Sequence, residues 1–339
     1  MSNYDVSETA TTYTMRCRPD WGQAGTAFDI TMNQIVSLSL DLTCFTSTSG
    51  ESTRIFPLSL GQANSSELNA VILSSVGTIS RDNIIHVKID GESFGAFRVD
   101  KVIKNEEDGT LTIHGFDKMA DTDRVTVTKA TESNPLGSNP TDIQVITALC
   151  TVFNFNLDPT VTNAITNAYH VKNTYHKVKC REMFAQIAAA YGGAFYLRTD
   201  NNENAYLCFV DAIIPAENDS EPRLKGIGVN INDYTSPVYY VAVFAANDNI
   251  YVKESQNPTG NVWIEVNVPW AVQAVADNIL TKYDGISYRG FTARDVIIDQ
   301  YLKLSNVVRI NGQRLPVYGI HISAGPVFLA DLSAPETVL

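Results

Sequence analysis

The 339-residue sequence predicts a mainly β protein with α+β insertions. Three observations carry this prediction. Apolar and polar residues alternate with a period of two through most of residues 36–128, and again from residue 238 onward. Helical spacing is confined to a central stretch within 141–191 and to one segment after Pro269. Gly, Asn and Asp punctuate the chain at short intervals, as hairpin turns require.

The clearest strand is Val36-Ser-Leu38-Ser-Leu40-Asp-Leu42-Thr-Cys44, where apolar and polar residues take turns and one face is buried. Further strands are predicted at Glu67–Leu73, Ile84–Asp90, Gly95–Ile103, Leu111–Phe116 and Arg124–Thr128. Asp108-Gly109 supplies a hairpin turn, because Gly takes positive φ without penalty. The first 130 residues thus read as a meander of short strands, a barrel or a sandwich. Residues 132–140 are a loop by composition. Thr141 caps a helix whose apolar positions are Ile143, Ile146, Leu149, Cys150 and Phe153. A second helix, Arg181–Tyr191, stops at Gly192-Gly193. A hairpin follows, Ala194–Arg198 and Ala205–Val210 around the turn Asp200–Asn204. Residues 141–212 therefore form a small α+β unit. Strands return at Val238–Phe244, Ile250–Lys253 and Val262–Val266. Pro269 is expected to open a third helix with Val272, Val275, Ala276, Ile279 and Tyr283 on one face, closed by Gly285. The remainder is β: Val307–Ile310, Val317–Ile322 and Val327–Leu332, with an Asn311-Gly312 turn. No fixed period repeats, which excludes a solenoid.

Composition narrows function. Apolar residues make up 44% and charged residues 18%, enough to bury a core. There are 25 Lys plus Arg against 37 Asp plus Glu, a net charge of -12. That balance disfavours gripping a phosphate backbone or an anionic membrane surface. Cys17, Cys44, Cys150, Cys180 and Cys208 are odd in number and widely spaced, so reduced, buried thiols and a cytoplasmic site of synthesis are expected. The first twelve residues lack a basic start and an apolar core, so no signal peptide is expected. No apolar run is long enough to predict a membrane span.

The chemical motifs are sparse. A phosphate loop is absent, and Gly226-Ile-Gly228 is too short for a dinucleotide fingerprint. Gly91-Glu-Ser93-Phe-Gly95 fits the letters of a nucleophile elbow, with a fainter likeness at Gly50-Glu-Ser52. An elbow leads from strand into helix, but the residues after Gly95 alternate as a strand, so the reading is a hairpin turn. His170, His176 and Cys180 lack a fourth ligand and the tight pairing of structural zinc. His86, His114 and His321 sit in strand patterns, as hydrogen-bonded, half-buried residues. Glu106, Glu107 and Asp108 offer too few oxygens for calcium. Asn64-Ser-Ser matches a glycosylation acceptor but has no secretory context. Arg294 and Asp295 read as a surface ion pair. The sequence thus assigns no catalytic residue, no cofactor-binding residue and no metal ligand.

Several stretches resemble the phage tail baseplate hub family, the contractile-tail hubs also found in phage-tail-like particles. They are Phe28-Asp-Ile-Thr31 before the Val36–Leu42 strand, and Gly95-Ala-Phe-Arg-Val-Asp-Lys-Val102 before an acidic hairpin and Leu111–Met119. The Cys180–Gly193 helix and the closing unit Pro269–Leu332 follow in the same order. The likeness spans about residues 28–335, and the order of the motifs carries it. Cys180 departs from the pattern, since Thr or Ser caps a helix better.

The resemblance implies two tail-tube-like β-barrels joined by a small α/β unit, three copies forming a ring between tail tube and spike, and no enzymatic activity. On that basis residues 1–130 with about 213–266 form a first barrel domain. Residues 131–212 with about 267–288 form the α+β insertion, and 289–339 with neighbouring strands form the second barrel. Implied partners are further copies of the chain (a homotrimer), tail tube and distal tail subunits, the central spike or tip protein, and the tape measure, with no specific nucleic-acid binding. The implied location is the virion tail, assembled in the bacterial cytoplasm. The acidic balance suggests a ring lining that repels DNA. Three other readings stand beside it: another tail-tip β protein such as a distal tail or tube-cap subunit, a hydrolase using Ser93 or Cys180, and a carbohydrate-binding β-sandwich, which predicts exposed Trp or Tyr platforms although Trp21, Trp263 and Trp270 do not cluster in sequence.

Overall fold

The computed structural model describes residues 12–19, 27–46, 55–171, 177–214, 221–224, 227–256, 260–297, 302–310, 312–324 and 328–334. Ser52, Trp21, His176, Gly226 and the Asn311 half of the last turn lie outside the described residues.

The first β-rich part comprises β1 (Tyr13–Arg18), β2 (Phe28–Thr31), β3 (Ile35–Thr43), β4 (Gln62–Ala63), β5 (Glu67–Leu73), β6 (Ile84–Ile89), β7 (Glu92–Asn105) and β8 (Thr110–Asp117). Its alternation is that of the sequence. Leu38, Leu40 and Leu42 of β3 are buried, and so are Leu68, Ala70 and Ile72 of β5. Gly109 takes φ 60 in the β7–β8 turn, as the Asp-Gly signal requires. The central unit contains α1 (Val127–Ala130), α2 (Asp142–Phe153), β9 (Phe155–Leu157), α3 (Pro159–Ala164), α4 (Cys180–Ala190), β10 (Gly193–Thr199) and β11 (Ala205–Asp211). A reciprocal cap starts α2: Thr141 accepts from the Gln144 amide, and the Gln144 side chain accepts from the Thr141 amide. Helix α4 has Lys179 as its N-cap, with no side-chain cap, and Cys180 lies fully buried in its first turn. Packing of Met183, Phe184 and Ile187 fixes this helix rather than capping.

The rest of the chain forms β12 (Arg223–Leu224), β13 (Ile227–Ile231), β14 (Val238–Phe244), β15 (Ile250–Glu254), β16 (Val262–Asn267), α5 (Gln273–Tyr283), β17 (Phe291–Ile297), β18 (Val307–Ile310), β19 (Gln313–Pro316), β20 (Gly319–Ala324) and β21 (Phe328–Ala334). The architecture is mainly β, with curled sheets and a few helices.

Two expectations change. Arg124–Thr128 is not a strand. Thr126 instead accepts from the Lys129 amide, and Thr131 donates to the Val127 carbonyl, so local hydroxyl bonds favour the short helix α1. The third helix starts at Gln273 rather than Pro269. A turn closed by the Ala271 amide on the Val268 carbonyl buries Trp270 first, and extended Val272 becomes the N-cap.

The largest sheet has eleven strands in the order β13-β17-β21-β20-β3-β5-β8-β7-β6-β1-β2. Its two chain-distant parts meet at the antiparallel β3–β20 pair, from Thr43↔Gly319 to Leu38↔Ala324. The strands before the central unit and those at the end of the chain therefore share one hydrogen-bonded sheet. Strands β4, β10, β11 and β9 form a second sheet in that order, β12-β18-β19 a third, and β15-β14-β16 a fourth. Large aromatics pack in the core beside them. Phe45 meets Tyr318 edge-on at 4.9 Å, and Phe56 meets Tyr283 at 5.5 Å, all four side chains being fully buried.

Candidate functional site

The β6–β7 hairpin turns at Asp90 (φ 49) and Gly91 (φ 84) and leads Ser93 straight into strand β7. This is the hairpin expected, not a strand-to-helix elbow. The same hairpin nevertheless brings Ser93 against His86: the Oγ and Nε2 atoms are 2.8 Å apart. Glu203, from the β10–β11 turn, lies 3.4 Å from His86 Nδ1 and pairs with Arg18 of β1. Sequence reasoning placed His86 in a strand and did not join it to Ser93. Their seven-residue separation around an Asp-Gly turn is the signal that links them.

The order Ser–His–Glu is that of a charge-relay triad, but its chemistry is wrong. Burial, then the Lys88 and Arg18 charges, lower the His86 pKa to about 4, so its imidazole resists taking a proton. Arg18 already occupies the Glu203 carboxylate. The Ser93 amide donates to Asn201 Oδ1 at 2.8 Å and is not free to hold an oxyanion. The Lys88 ammonium donates to the Asn201 carbonyl at 3.2 Å. The cluster is a polar clasp that fastens the β10–β11 turn to β1, β6 and β7. A cavity of about 200 Å³ opens beside it, between β7, β10 and Leu302–Leu304, with Phe94, Tyr196 and buried Asp117 on its wall. A fluorophosphonate probe is expected to leave the protein unlabelled. Ser93→Ala should cost only about 1 kcal/mol, read by chemical denaturation. Labelling that Ser93→Ala abolishes would establish a nucleophile.

The other chemical readings meet the same fate. All five cysteines are buried. Burial pushes the Cys180 thiol up to about 12, which removes the reactive thiolate. His170 Nδ1 lies 3.1 Å from the Asn139 carbonyl, and its backbone bridges to Thr141. Among the described residues no group of three or more His, Cys, Asp or Glu is placed to hold a metal. The acidic turn Glu106–Asp108 is an exposed hairpin tip. Arg294 and Asp295 lie in the bulge of β17, and the Asp295 amide donates to Asp331 Oδ1 at 3.1 Å. Trp270 is buried against Tyr169, at 6.4 Å between rings.

One feature crosses the whole sheet. Neighbouring strands β21, β20, β3, β5 and β8 contain no Lys or Arg. Across their solvent face, paired positions run Asp331↔His321↔Asp41↔Glu67. His321 Nδ1 lies 2.6 Å from Asp41. His114 of β8 lies 2.8 Å from Glu67 through Nε2 and 2.6 Å from Asp100 through Nδ1. Ser37, Ser39, Asn69 and Thr112 add small neutral groups to the face, beside Val71 and Phe116. A row of carboxylates and imidazoles thus spans the β3–β20 seam with no permanent cation in those five strands.

Burial alone would lower the His114 pKa; hydrogen bonds to Asp100 and Glu67, and their charges, outweigh it and raise it. The stabilisation is therefore complete below the unfolded value near 6.5 and is lost as pH rises through the higher folded value. Both carboxylates are partly exposed, so the effect is small, about 0.5 kcal/mol. Denaturation midpoints from about pH 5 to pH 8 should fall in the native protein and fall less in His114→Asn.

No helix among the described residues is long and apolar enough to cross a membrane. No protein-family model matches the sequence, and no curated protein matches it. Solved structures do match. The 43 kDa tail protein of prophage MuSo2 from Shewanella oneidensis is 12% identical with a TM-score of 0.58, over 95% of this chain and 97% of that one. The tail protein from Neisseria meningitidis MC58 is 13% identical with a TM-score of 0.58, over 95% of each chain. An Escherichia coli component of the type VI secretion system is 11% identical with a TM-score of 0.52, over 90% of this chain and 74% of that one. That protein is itself described as structurally similar to the T4 bacteriophage tail proteins gp27 and gp5. At these identities the likeness is one of fold: this chain has the fold of phage tail proteins.

Proposed function

We propose that the chain is a structural hub subunit of a phage tail or tail-like particle, forming a ring that joins the tail tube to the central spike or tip. One observation carries the reading. A tail-protein fold runs a single eleven-stranded sheet through both β-rich parts and keeps five adjacent strands free of Lys and Arg. A face of that kind suits a channel lining, because carboxylates and small hydroxyls repel a passing phosphate backbone and give it no cation to hold. The chain acts by assembly and not by catalysis. The clasp at Ser93 and the buried cysteines support that side of the reading.

The proposed assembly is a homotrimer, contacting tail tube and distal tail subunits on one side and the spike or tip protein on the other, with the tape measure as a further neighbour. It forms in the host cytoplasm and resides in the virion tail. Within each copy the proposed units are the first barrel (1–130 with about 213–266), the α+β insertion (131–212 with about 267–288) and the second barrel (289–339 with neighbouring strands). A distal tail or tube-cap subunit is the second reading. The folded α2–α4–β10–β11 unit between the two β-rich parts favours the hub over it. Light scattering of the purified protein over a range of concentrations tests the ring. A species near three times 37.2 kDa supports it, and a monomer at every concentration counts against it.

A further inference from the structure

The cavity beside the clasp is a small, largely apolar chamber with a buried acid in its wall. Leu42 of β3, Phe94 and Phe97 of β7, and Leu302 and Leu304 from the segment before β18 line it, and all five are buried. Its volume is about 200 Å³. A cavity of about 150 Å³ lined by Leu, Ile and Phe is enough to hold benzene. This one therefore has room for a benzene ring and a short substituent.

The acid is Asp117, the last residue of β8, only 6% exposed. Its Oδ2 accepts from the Ser66 amide at 2.9 Å, and its Oδ1 accepts from the Met119 amide at 3.0 Å. These bonds fix the carboxyl group and leave each oxygen a further lone pair. They do not neutralise its charge. Arg181 supplies the positive charge that acts on it, without an ion pair, and the Arg181 Nε donates to the Ala63 carbonyl at 2.8 Å. Burial raises the Asp117 pKa to about 7, against the pull of the amides and of Arg181. The other charged groups of the wall are matched. Lys303 lies 3.4 Å from Glu92, and Arg198 pairs with Asp158 at 3.0 Å. At Asp200, hydrogen bonds from Asn202 and Asn204 outweigh burial and lower the pKa. An anion entering the cavity would meet no uncommitted cation. A cation would meet Asp117.

We infer that this cavity is a binding site for a small primary amine with an apolar body: the body lies among Phe94, Phe97 and the three leucines, and the ammonium group meets the Asp117 carboxylate. An ammonium suits the site better than a guanidinium. It is compact and needs one free lone pair, whereas a guanidinium fork takes two parallel acceptors, and both Asp117 oxygens already accept an amide. Phe94 and Phe97 also offer aromatic faces, which attract a cation. The inference goes beyond the ring reading and does not depend on it, since a single copy of the chain supplies the whole wall.

Benzylammonium and benzyl alcohol, nearly equal in shape and different in charge, test it by titration calorimetry. At about pH 8 the native protein should bind benzylammonium about tenfold or more tightly than benzyl alcohol. Between about pH 8 and pH 6 Asp117 takes up a proton while the amine keeps its charge. The benzylammonium affinity should therefore fall about tenfold over that range, and the benzyl alcohol affinity should not. Asp117→Asn, with its fold checked by circular dichroism, should bind the two probes alike. Where that variant does not fold, the pH dependence of the native protein decides alone. The inference is overturned if the native protein binds neither probe or binds both equally. It is overturned as well if the preference for the amine survives Asp117→Asn or stays constant with pH.

Discussion

Tyr283→Ala is expected to lower the unfolding free energy by about 3–5 kcal/mol, the cost of emptying a large aromatic site in a packed core. Tyr283 ends α5 and has no exposed surface. Its ring meets Phe56 edge-on at 5.5 Å. Its hydroxyl donates to the Gly192 carbonyl at 2.5 Å and accepts from the Ala212 amide at 3.1 Å. One side chain thus fastens α5 to both ends of the β10–β11 hairpin. Truncation opens a cavity and strands a buried carbonyl and a buried amide together. Tyr283→Phe separates the two effects. It keeps the ring, loses the hydroxyl, and should cost about 1–3 kcal/mol. Urea denaturation at neutral pH measures both. A Tyr283→Ala loss below about 1 kcal/mol would mean that the site collapses around the missing ring and that α5 is held elsewhere.

The sequence shows why Gly192 precedes the hairpin, though not what it faces. A Cβ at Gly192 would lie 2.9 Å from the Tyr283 ring, and its φ of 64 is unfavourable for other residues. As a helix stop the Gly192-Gly193 pair was legible; as the seat of an aromatic ninety residues away it was not, because no local pattern encodes that distance. The same division runs through the molecule. Strands β3, β5, β8 and β16 were legible because their alternation records a buried face, and β6 and β14 as short runs of branched and aromatic residues. Strand β1 escaped notice because Tyr13-Thr-Met-Arg-Cys-Arg alternates with charged residues and lacks a turn signal before it. The β3–β20 seam was invisible, since pairing across nearly three hundred residues leaves no mark on either segment alone. The charge row at that seam was therefore legible only as a net acidic balance. Its location needed the register that sets Asp41 beside both Glu67 and His321.

Glu221→Ala should cost about 2–4 kcal/mol, through the cations it leaves behind more than through the contact it removes. The Glu221 side chain is 6% exposed. It accepts from Arg314 Nε at 2.9 Å to each oxygen, from Arg314 Nη2, and from Arg309, whose Nε lies 3.1 Å away. Arg309 and Arg314 face each other in register on β18 and β19. Without the carboxylate, two mostly buried guanidiniums repel across one rung of the sheet. The Arg309 amide also donates to the Pro222 carbonyl, so β12 is tied to this hairpin through the same residues. If the penalty is the stranded charge, removing one cation along with the anion should relieve it. Glu221→Leu with Arg314→Leu is then expected to recover most of the lost stability. A double variant as unstable as Glu221→Ala would instead assign the loss to the geometry of the fork, with Arg314 holding β12 against β18 by its paired hydrogen bonds.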